Sequence, residues 1–298
     1  MEKVQILGED NYKLNVHLFE VENPKGYIQI IHGMEEHQER YERLIDDLNK
    51  VGFTVISSNI RGHGEDAPML GYFKEKNGYN YLISDQKNIT KYICKRYNTN
   101  KVIIIAHSMG TIIARNLLQT ESNKYEKTIL IGYPCPQKLA NLGLILTNLI
   151  KLFKGPKYYS KLVEKMSVGK FNKQIKNAKT GVDWISFNEE NVKEYTEDKY
   201  CGHVFTVSAF NDLFHLVKNM ANTKLYKNVN EKLPLLLLRG DSDPCTGYDK
   251  GSQESISILN KAGFNDIKMI KYKHMRHEIL NEYNYKDVHK DICEFLLL

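Results

Sequence analysis

The sequence is poor in cysteine and in long apolar runs, and each scarcity excludes a class of protein. Five cysteines among 298 residues, without a Cys-x-x-Cys pair, exclude a disulfide framework and a zinc knuckle and indicate reduced thiols. The most apolar long stretch, residues 139–153, is interrupted by polar side chains and is shorter than the ~20 residues of a membrane span. The first ten residues lack the apolar segment of a signal peptide. We therefore expect a soluble, cytoplasmic protein.

The net charge of the chain is also small. Lys plus Arg number 42 against 36 Asp plus Glu, a net charge of +6, which is too small to argue for nucleic-acid binding. The content of 42% hydrophobic and 26% charged residues is typical of a globular chain with a full core and excludes disorder. The length allows one large domain, or one domain with a substantial insertion.

Short apolar runs alternate with amphipathic helical patterns through most of the chain. Strands are predicted at 26–32, 53–58, 102–105, 128–132, 235–238 and 267–272. Apolar runs of this length between helices indicate a parallel sheet that is covered on both faces. The first twenty residues alternate more loosely and predict an antiparallel hairpin at the sheet edge. The predicted fold class is α/β, doubly wound.

One segment, residues 135–206, breaks the alternation and differs in composition. It has no clean strand pattern, and positions 138 to 179 hold ten lysines against one acid, Glu164. We interpret 135–206 as an inserted, mainly helical cap, and 1–134 with 207–298 as the core domain. A lysine-rich face beside apolar residues fits either a solvated helix surface or a lid that meets acyl chains and anionic lipid head groups.

The strongest local signal is a serine between a buried strand and a helix. KVIIIAHSMG at 101–110 precedes the helical TIIARNLL, which places Ser108 on the sharp strand-to-helix turn of a nucleophile elbow. Gly110 is one of the two small residues that this tightly packed turn requires, and Ala106 replaces the more usual Gly at the other position. In the alternative interpretation, Ser108 only caps the helix.

A serine nucleophile needs a base, and the base needs an orienting acid. In α/β hydrolases these two residues follow the serine in the order Asp, His, each after a late strand. Asp241 and Asp243 follow one predicted strand, and His274 and His277 follow the next. We favour Asp243 and His277. Asp241 stays open as the acid, and either aspartate alone could instead form an Asx turn.

Acyl transfer also needs donors for a developing oxyanion. In the loop after the predicted strand at 26–32, Gly33 permits the backbone geometry that would turn the next amide inward. The N–H of Met34 and the N–H of Met109, directly after the serine, form the expected pair. HEILN at 277–281 lacks the second histidine of a zinc-binding H-E-x-x-H helix, so we predict no metal.

Together, these motifs resemble the family of monoacylglycerol lipases and bacterial lysophospholipases, which are serine aminopeptidase-like α/β hydrolases. The resemblance covers nearly the whole chain. The segments that carry it are HGMEEHQERY at 32–41, NIRGHGED at 59–66, AHSMG at 106–110, CGHVFT at 201–206, GDSDP at 240–244 and RHEILNE at 276–282. The chain departs from the family's motifs at Asn59, Asp66 and Ala106.

The resemblance implies an α/β-hydrolase fold with a helical cap. It implies Ser108 as nucleophile, Asp243 as acid, His277 as base, and the Met34 and Met109 amides as oxyanion donors. The implied activity is cofactor-free hydrolysis of a small acyl ester, a monoacylglycerol or a lysophospholipid. The cap leucines would line an acyl tunnel, and the cap lysines would favour peripheral contact with a lipid surface.

Two alternative functions stay open. A serine aminopeptidase of the proline iminopeptidase type needs carboxylates near the scissile bond to hold a free amine, and the cap offers Glu164 and, beyond the lysines, Asp183, Glu189 and Glu190. A non-catalytic lipid-binding descendant would keep the fold without turnover. A dehalogenase or an epoxide hydrolase would carry Asp at the elbow, where this chain has Ser.

Three further polar residues of the family motifs have no catalytic role in this scheme. They are His37, Arg61 and His63. We interpret them as residues that structure the loops.

Overall fold

The structure, a computed structural model, describes residues 1–137 and 139–298 and contains one eight-stranded sheet. The strands are β1 (Glu2–Leu7), β2 (Lys13–Phe19), β3 (Gly26–Ile31), β4 (Phe53–Ser58), β5 (Val102–His107), β6 (Tyr125–Ile131), β7 (Leu235–Gly240) and β8 (Ile267–Tyr272). Their order across the sheet is β1-β2-β4-β3-β5-β6-β7-β8. β1 and β2 form an antiparallel hairpin that joins β4 antiparallel, and the remaining pairings are parallel. The predicted edge hairpin and α/β class are confirmed.

The described helices surround this sheet. They are α1 (Glu42–Lys50), α2 (Gly78–Arg96), α3 (Met109–Glu121), α4 (Ala140–Lys154), α5 (Lys161–Ser167), α6 (Gly169–Asn172), α7 (Glu189–Glu197), α8 (Val207–Met220), α9 (Tyr248–Lys261) and α10 (Tyr285–Leu297). Two apolar clusters cover the two faces of the sheet, one with residues of α2, α3 and α8 and one with residues of α1 and α10. The central strands are buried on both sides, which explains their continuous apolar sequences.

Two strands run further than their apolar residues predict. The strand predicted at 102–105 continues to His107, and the one predicted at 235–238 continues to Gly240. The added residues include His107 and Arg239, both buried and both paired to a neighbouring strand. Their polar side chains hydrogen bond inside the protein, so an apolar run marks only the part of a strand that packs on hydrocarbon.

The regular structure described between β6 and α8 is helical, with α4 to α7 joined by loops and one isolated bridge between Tyr159 and Thr206. α4 packs so closely on α8 that a Cβ atom at Gly143 would lie 2.7 Å from the Phe214 ring. Thr147 of α4 also accepts a 2.8 Å hydrogen bond from the Asn211 amide.

The cap limits, 135–206, stay a prediction, and Lys138 lies outside the described residues. None of the helices in the described part of the chain combines the length and the apolar composition that crossing a bilayer requires.

Candidate active site

Ser108 lies at the turn between β5 and α3, at the carboxyl end of a central strand. Its backbone has φ 50° and ψ −119°, a conformation that costs a non-glycine residue roughly 1–3 kcal/mol. Its N–H donates to the Ile131 carbonyl at 2.9 Å, and its hydroxyl makes no hydrogen bond that caps α3, so the interpretation as a mere helix cap is wrong. A Cβ atom at Gly110 would lie 2.1 Å from the Ile31 carbonyl oxygen, which is why this turn needs a glycine there.

Ser108, His277 and Asp243 form a continuous chain of hydrogen bonds. Nε2 of His277 lies 2.8 Å from Oγ of Ser108, and Nδ1 lies 2.9 Å from Oδ2 of Asp243. The Asp243 side chain is fully buried, and its other oxygen accepts the Cys245 N–H at 2.8 Å. The structure therefore brings together the three side chains that the sequence singled out, although Ser108 lies more than a hundred residues before the other two.

The two alternative residues lie outside this chain. Asp241 accepts hydrogen bonds from the His274 N–H at 3.1 Å and from the neighbouring Ser242 hydroxyl at 2.8 Å. His274 itself is exposed. Both residues therefore stabilise the turn after β8 and have no contact with the Ser108 hydroxyl.

The loop after β3 passes directly beside the serine. A Cβ atom at Gly33 would lie 3.1 Å from the Ser108 Cβ and 2.3 Å from the Glu36 carboxylate, so a side chain there would displace both. Met34 and Met109 line the same cavity as Ser108. The Met109 amide belongs to the first turn of α3, where no intrahelical acceptor exists, and the Met34 amide has no acceptor among the described residues.

Glu36 and His107 form a buried ion pair behind the serine, and neither residue is predicted from the sequence to act at the site. The Glu36 carboxylate accepts from the Gly33 N–H at 2.5 Å, from the Tyr41 hydroxyl at 2.8 Å and from His107 Nδ1 at 2.9 Å. Burial alone would raise the pKa of Glu36, but the charges of His107 and Arg40 lower it below its usual range. Burial alone would lower the pKa of His107, but the neighbouring Glu36 carboxylate raises it above its usual value.

This pair fixes the Gly33 loop against the end of β5. The signal in the sequence is Glu36 in HGMEEH, two residues after Met34, and His107 in AHSMG, directly before Ser108. Their positions are 71 residues apart, and local pattern does not indicate that they meet.

The His277 loop is tied to the loop after β3 and to the segment before α7. Glu278 accepts two hydrogen bonds from the Arg40 guanidinium, both at 2.8 Å, and one from the Asn191 amide at 2.8 Å. Glu282 accepts the N–H groups of Arg276 and Phe187 at 2.8 and 2.9 Å. These contacts hold the imidazole in place between Ser108 and Asp243.

His37, Arg61 and His63 make contacts typical of residues that structure loops. Arg61 is buried and donates to Asp85 at 2.6 Å, and His63 Nε2 accepts the Glu35 N–H at 3.3 Å. Burial lowers the pKa of His63 well below its usual range, so this ring is neutral.

His37 also belongs to the group whose ligand atoms lie close enough to hold a metal ion, with Asp198 and Cys201. Its two ring nitrogens bind carboxylates, Glu39 at 2.6 Å and Asp198 at 2.8 Å. Hydrogen bonds to both carboxylates raise the pKa of His37, and a protonated imidazole is not a metal ligand. We assign no metal to this group.

Ser108 opens into a mostly apolar cavity with about 880 Å³ of empty space including its mouth. Its walls come from α3, α8 and the segment 167–195, with Ile112, Val217, Phe171, Trp184 and Ile185 among the apolar residues. The Trp184 ring lies 4.8 Å from the His277 ring, which shields the imidazole from water. The expectation that the cap leucines line an acyl tunnel is wrong for α4, because no described residue of α4 lines this cavity.

The α4 leucines instead form an exposed apolar stripe, defined by Leu142, Ile145, Leu149 and Leu152. Their side chains are 60%, 65%, 54% and 77% exposed. The spacing places them on one side of the helix, opposite the side that packs on α8. Lys151 and Lys154 lie in the last turn of the same helix, towards the side that packs on α8 and not beside the stripe.

Comparison with known proteins places this geometry in a family. A family model described as serine aminopeptidase, S33, matches residues 22–284. The chain is 21% identical to a monoacylglycerol lipase of Mycolicibacterium smegmatis, over 92% of this chain and 89% of that protein. It is 22% identical to phospholipase YtpA of Bacillus subtilis, over 91% of this chain and 95% of that protein.

A solved structure shows the same fold. The chain superposes on a thermostable carboxyl esterase from Bacillus coagulans, crystallised with glycerol, with a TM-score of 0.91 at 23% identity. The match covers 99% of this chain and 97% of the esterase. At this identity the likeness establishes the α/β-hydrolase fold of esterases and lipases.

Proposed function

The chain belongs to the serine aminopeptidase S33 family of α/β hydrolases, and from that premise we propose that it is a serine carboxylic-ester hydrolase acting on monoacylglycerol or lysophospholipid-type esters. The observation that carries the proposal is the hydrogen-bonded chain from Asp243 through His277 to the Ser108 hydroxyl, at the base of an apolar cavity. No cofactor takes part in this reaction scheme.

In the proposed first step, Ser108 Oγ attacks the ester carbonyl carbon while His277 Nε2 takes its proton over the 2.8 Å hydrogen bond. Asp243 accepts the Nδ1–H of His277, which fixes the tautomer and stabilises the imidazolium that forms. The N–H groups of Met34 and Met109 donate to the oxyanion of the tetrahedral intermediate.

The intermediate then collapses and the alcohol leaves with the proton from His277, so that the acyl group stays bound to Ser108 Oγ. In the second half of the reaction, His277 takes a proton from water and the hydroxide attacks the acyl carbon. Ser108 recovers its proton as the carboxylic acid leaves. Each half transfers one proton through the same imidazole, so no external acid or base is needed.

The shape and lining of the cavity support an acyl substrate. Apolar side chains dominate its walls, and polar groups lie near the serine. The names of the relatives in the comparisons, a monoacylglycerol lipase and a phospholipase, agree with that substrate class. Five free cysteines agree with a cytoplasmic location.

The exposed apolar stripe of α4 supports peripheral contact with an anionic lipid surface. An exposed apolar face on a helix that also carries lysines in its last turn is a feature of amphipathic helices that lie in a membrane interface. We expect wild-type protein to bind vesicles that contain phosphatidylglycerol, and salt to weaken the binding. Leu149→Glu with Leu152→Glu should abolish binding and leave hydrolysis of a short soluble ester unchanged, whereas the exposed control Leu7→Glu on β1 should bind like wild type. Equal binding by both variants would refute this contact.

The nucleophile is tested with a fluorophosphonate probe, which reacts covalently with an activated serine. Wild-type protein and Ser242→Ala, a control in the acid loop, should be labelled. Ser108→Ala should not be labelled and should lose hydrolysis of an aryl butyrate by at least about 10³-fold. Labelling that persists in Ser108→Ala would refute the assignment.

The same preparation separates the alternatives. A proline iminopeptidase-type enzyme would release the arylamine from a proline arylamide, whereas the ester hydrolase proposed here would hydrolyse an aryl butyrate and leave the proline arylamide intact. A lipid-binding descendant would bind acyl chains without turning over any ester between two and about sixteen carbons long.

A further inference from the structure

Lys170 is a basic side chain in the wall of the Ser108 cavity, and the proposed reaction does not use it. It belongs to α6 and is only partly exposed. Its ammonium group donates a 2.9 Å hydrogen bond to the side-chain oxygen of Gln137, which is its one hydrogen-bond partner in the described part of the chain. Gln137 lines the cavity as well. An ammonium group has three N–H donors, so two of them stay available to a ligand.

No acid of the described residues neutralises the charge of Lys170. The cavity wall contains three carboxyl groups, and two of them, Glu36 and Glu278, form ion pairs with other cations. The third, Glu35, is buried, and burial raises the pKa of Glu35 well above its usual value, which favours its uncharged form. Among the described charges at this wall, that of Lys170 is therefore the one without an opposite partner.

A second unused donor lies one helical turn before Lys170. The hydroxyl oxygen of Ser167 is buried and has no hydrogen-bond partner among the described residues, and Ser167 lines the same cavity. Residues 161–172 are helical apart from Val168, whose φ and ψ are also helical, so positions 167 and 170 lie on one face of this segment. A buried hydroxyl without a partner is costly, and together with the ammonium group it can donate to one shared acceptor.

These two donors are suited to an oxygen anion. A phosphate or a carboxylate presents several acceptor oxygens, and its hydrogen bonds to an ammonium group are roughly twice as strong as those between neutral groups. The wall around the donors is mostly apolar, with Val168 and Phe171 in the same segment, and such surroundings strengthen the attraction between charges. A neutral acyl ester would leave the ammonium group without an anion to bind.

We propose that Lys170 and Ser167 form a subsite for an anionic oxygen group, a phosphate or a carboxylate, on the ester substrate. This inference rests on the proposed ester hydrolysis and adds the charge of the substrate. The anionic group can belong to either part of the ester. It lies on the alcohol in a glycerophosphate ester, and on the acyl part in the half-ester of a dicarboxylic acid.

The test compares soluble esters that differ in one charged group. For the alcohol side, butyryl glycerol 3-phosphate is compared with butyryl glycerol. For the acyl side, monomethyl adipate is compared with methyl hexanoate. The measured quantity is the ratio of kcat/KM for the anionic ester to kcat/KM for the neutral ester. In at least one pair this ratio should be about tenfold higher, or more, for wild-type protein than for Lys170→Met, and that pair identifies the part that carries the anion.

Variants of the two donors assign the preference. Lys170→Met removes the charge but keeps the length of the side chain, so hydrolysis of the neutral ester should change less than about twofold. Lys170→Arg keeps the charge and should retain most of the ratio, whereas Ser167→Ala removes one donor and should lower the ratio about threefold. The control Lys173→Met, at an exposed position one turn further on, should leave both esters unchanged. A ratio that is the same in wild type and Lys170→Met for both pairs overturns the subsite.

A binding measurement keeps this result separate from the proposed reaction. Sodium phosphate should raise the melting temperature of Ser108→Ala more than that of the double variant Ser108→Ala with Lys170→Met. The general stabilising effect of the salt is the same in both proteins and cancels in this comparison. Failure of all ester hydrolysis together with absent labelling of Ser108 refutes the proposed function. Hydrolysis of neutral esters with an equal phosphate shift in the two proteins refutes the subsite alone.

Discussion

Replacing Glu36 by Gln tests whether the buried pair with His107 holds the site together. The variant keeps the shape of the side chain but removes the charge that faces the imidazole and at least one of the three accepted hydrogen bonds. Removing one partner of a buried pair costs about 3 kcal/mol at the lower end of the known range. For a chain of this size, that loss lowers the melting temperature by roughly 6 °C.

The pair also predicts how this cost changes with pH. The lowered pKa of Glu36 adds stability above its ordinary value of 4.5, and that stability is lost as the pH falls through the folded value. The raised pKa of His107 adds stability below its ordinary value of 6.5, and that stability is lost as the pH rises through the folded value. The pair therefore stabilises most between these ordinary values, and the deficit of Glu36→Gln should shrink as the pH rises through the raised pKa of His107.

Urea unfolding at about pH 6 and about pH 9 measures this difference, with ester hydrolysis as the second readout. We expect kcat to fall about 10²-fold, as for the loss of one oxyanion donor, because Gly33 and Met34 lose their anchor. Tyr41→Phe removes one hydrogen bond to the same carboxylate and should cost less, about 1.5 kcal/mol. Glu42→Gln, on the exposed start of α1, should cost nothing measurable. A Glu36→Gln deficit no larger than that of Tyr41→Phe, or one that does not depend on pH, would refute this reasoning.

Two further substitutions test the serine and its acid. Asp243→Asn should preserve folding and lower kcat by about 10³–10⁴-fold with little change in KM, because the amide no longer fixes the imidazole tautomer. Asp241→Asn should retain activity. Equal losses of kcat in the two variants would refute the assignment of Asp243 as the acid. Gly110→Ala should lower the free energy of unfolding by about 3 kcal/mol or more, since its Cβ atom would meet the Ile31 carbonyl. Gly169→Ala, with the nearest atoms 3.8 Å away, should be neutral in the same denaturant titration.

Much of the site could be predicted because its residues lie where strands end. Parallel strands carry their carboxyl ends to one edge of the sheet, so residues that follow β5, β7 and β8 must meet there. Ser108, Asp243 and His277 each follow such a strand. The apolar residues of β5, β7 and β8 predict these strands from the sequence alone. The loop after β3 ends at the same edge, which explains why Gly33 touches the serine.

The parts that could not be predicted depend on which side chains face each other. Glu36 and His107 each occur in a familiar motif, but their pairing depends on how two loops pack. The direction of the α4 leucines is a similar case. Leu142, Leu146 and Leu149 lie on one side of the helix and Leu144 on the other. Periodicity therefore indicates an apolar face but not that this face is exposed while the side of Leu144 packs on α8.

The attachment of the His277 loop to its neighbours has a mechanical consequence. Glu278 joins that loop to Arg40 and Asn191, and Glu282 joins it to Phe187, so residues 183–191 and the imidazole are braced as one unit. A substrate that entered by pushing this unit aside would break the alignment on which turnover depends. We therefore expect substrate and product to pass the cavity on a side that leaves residues 183–191 in place.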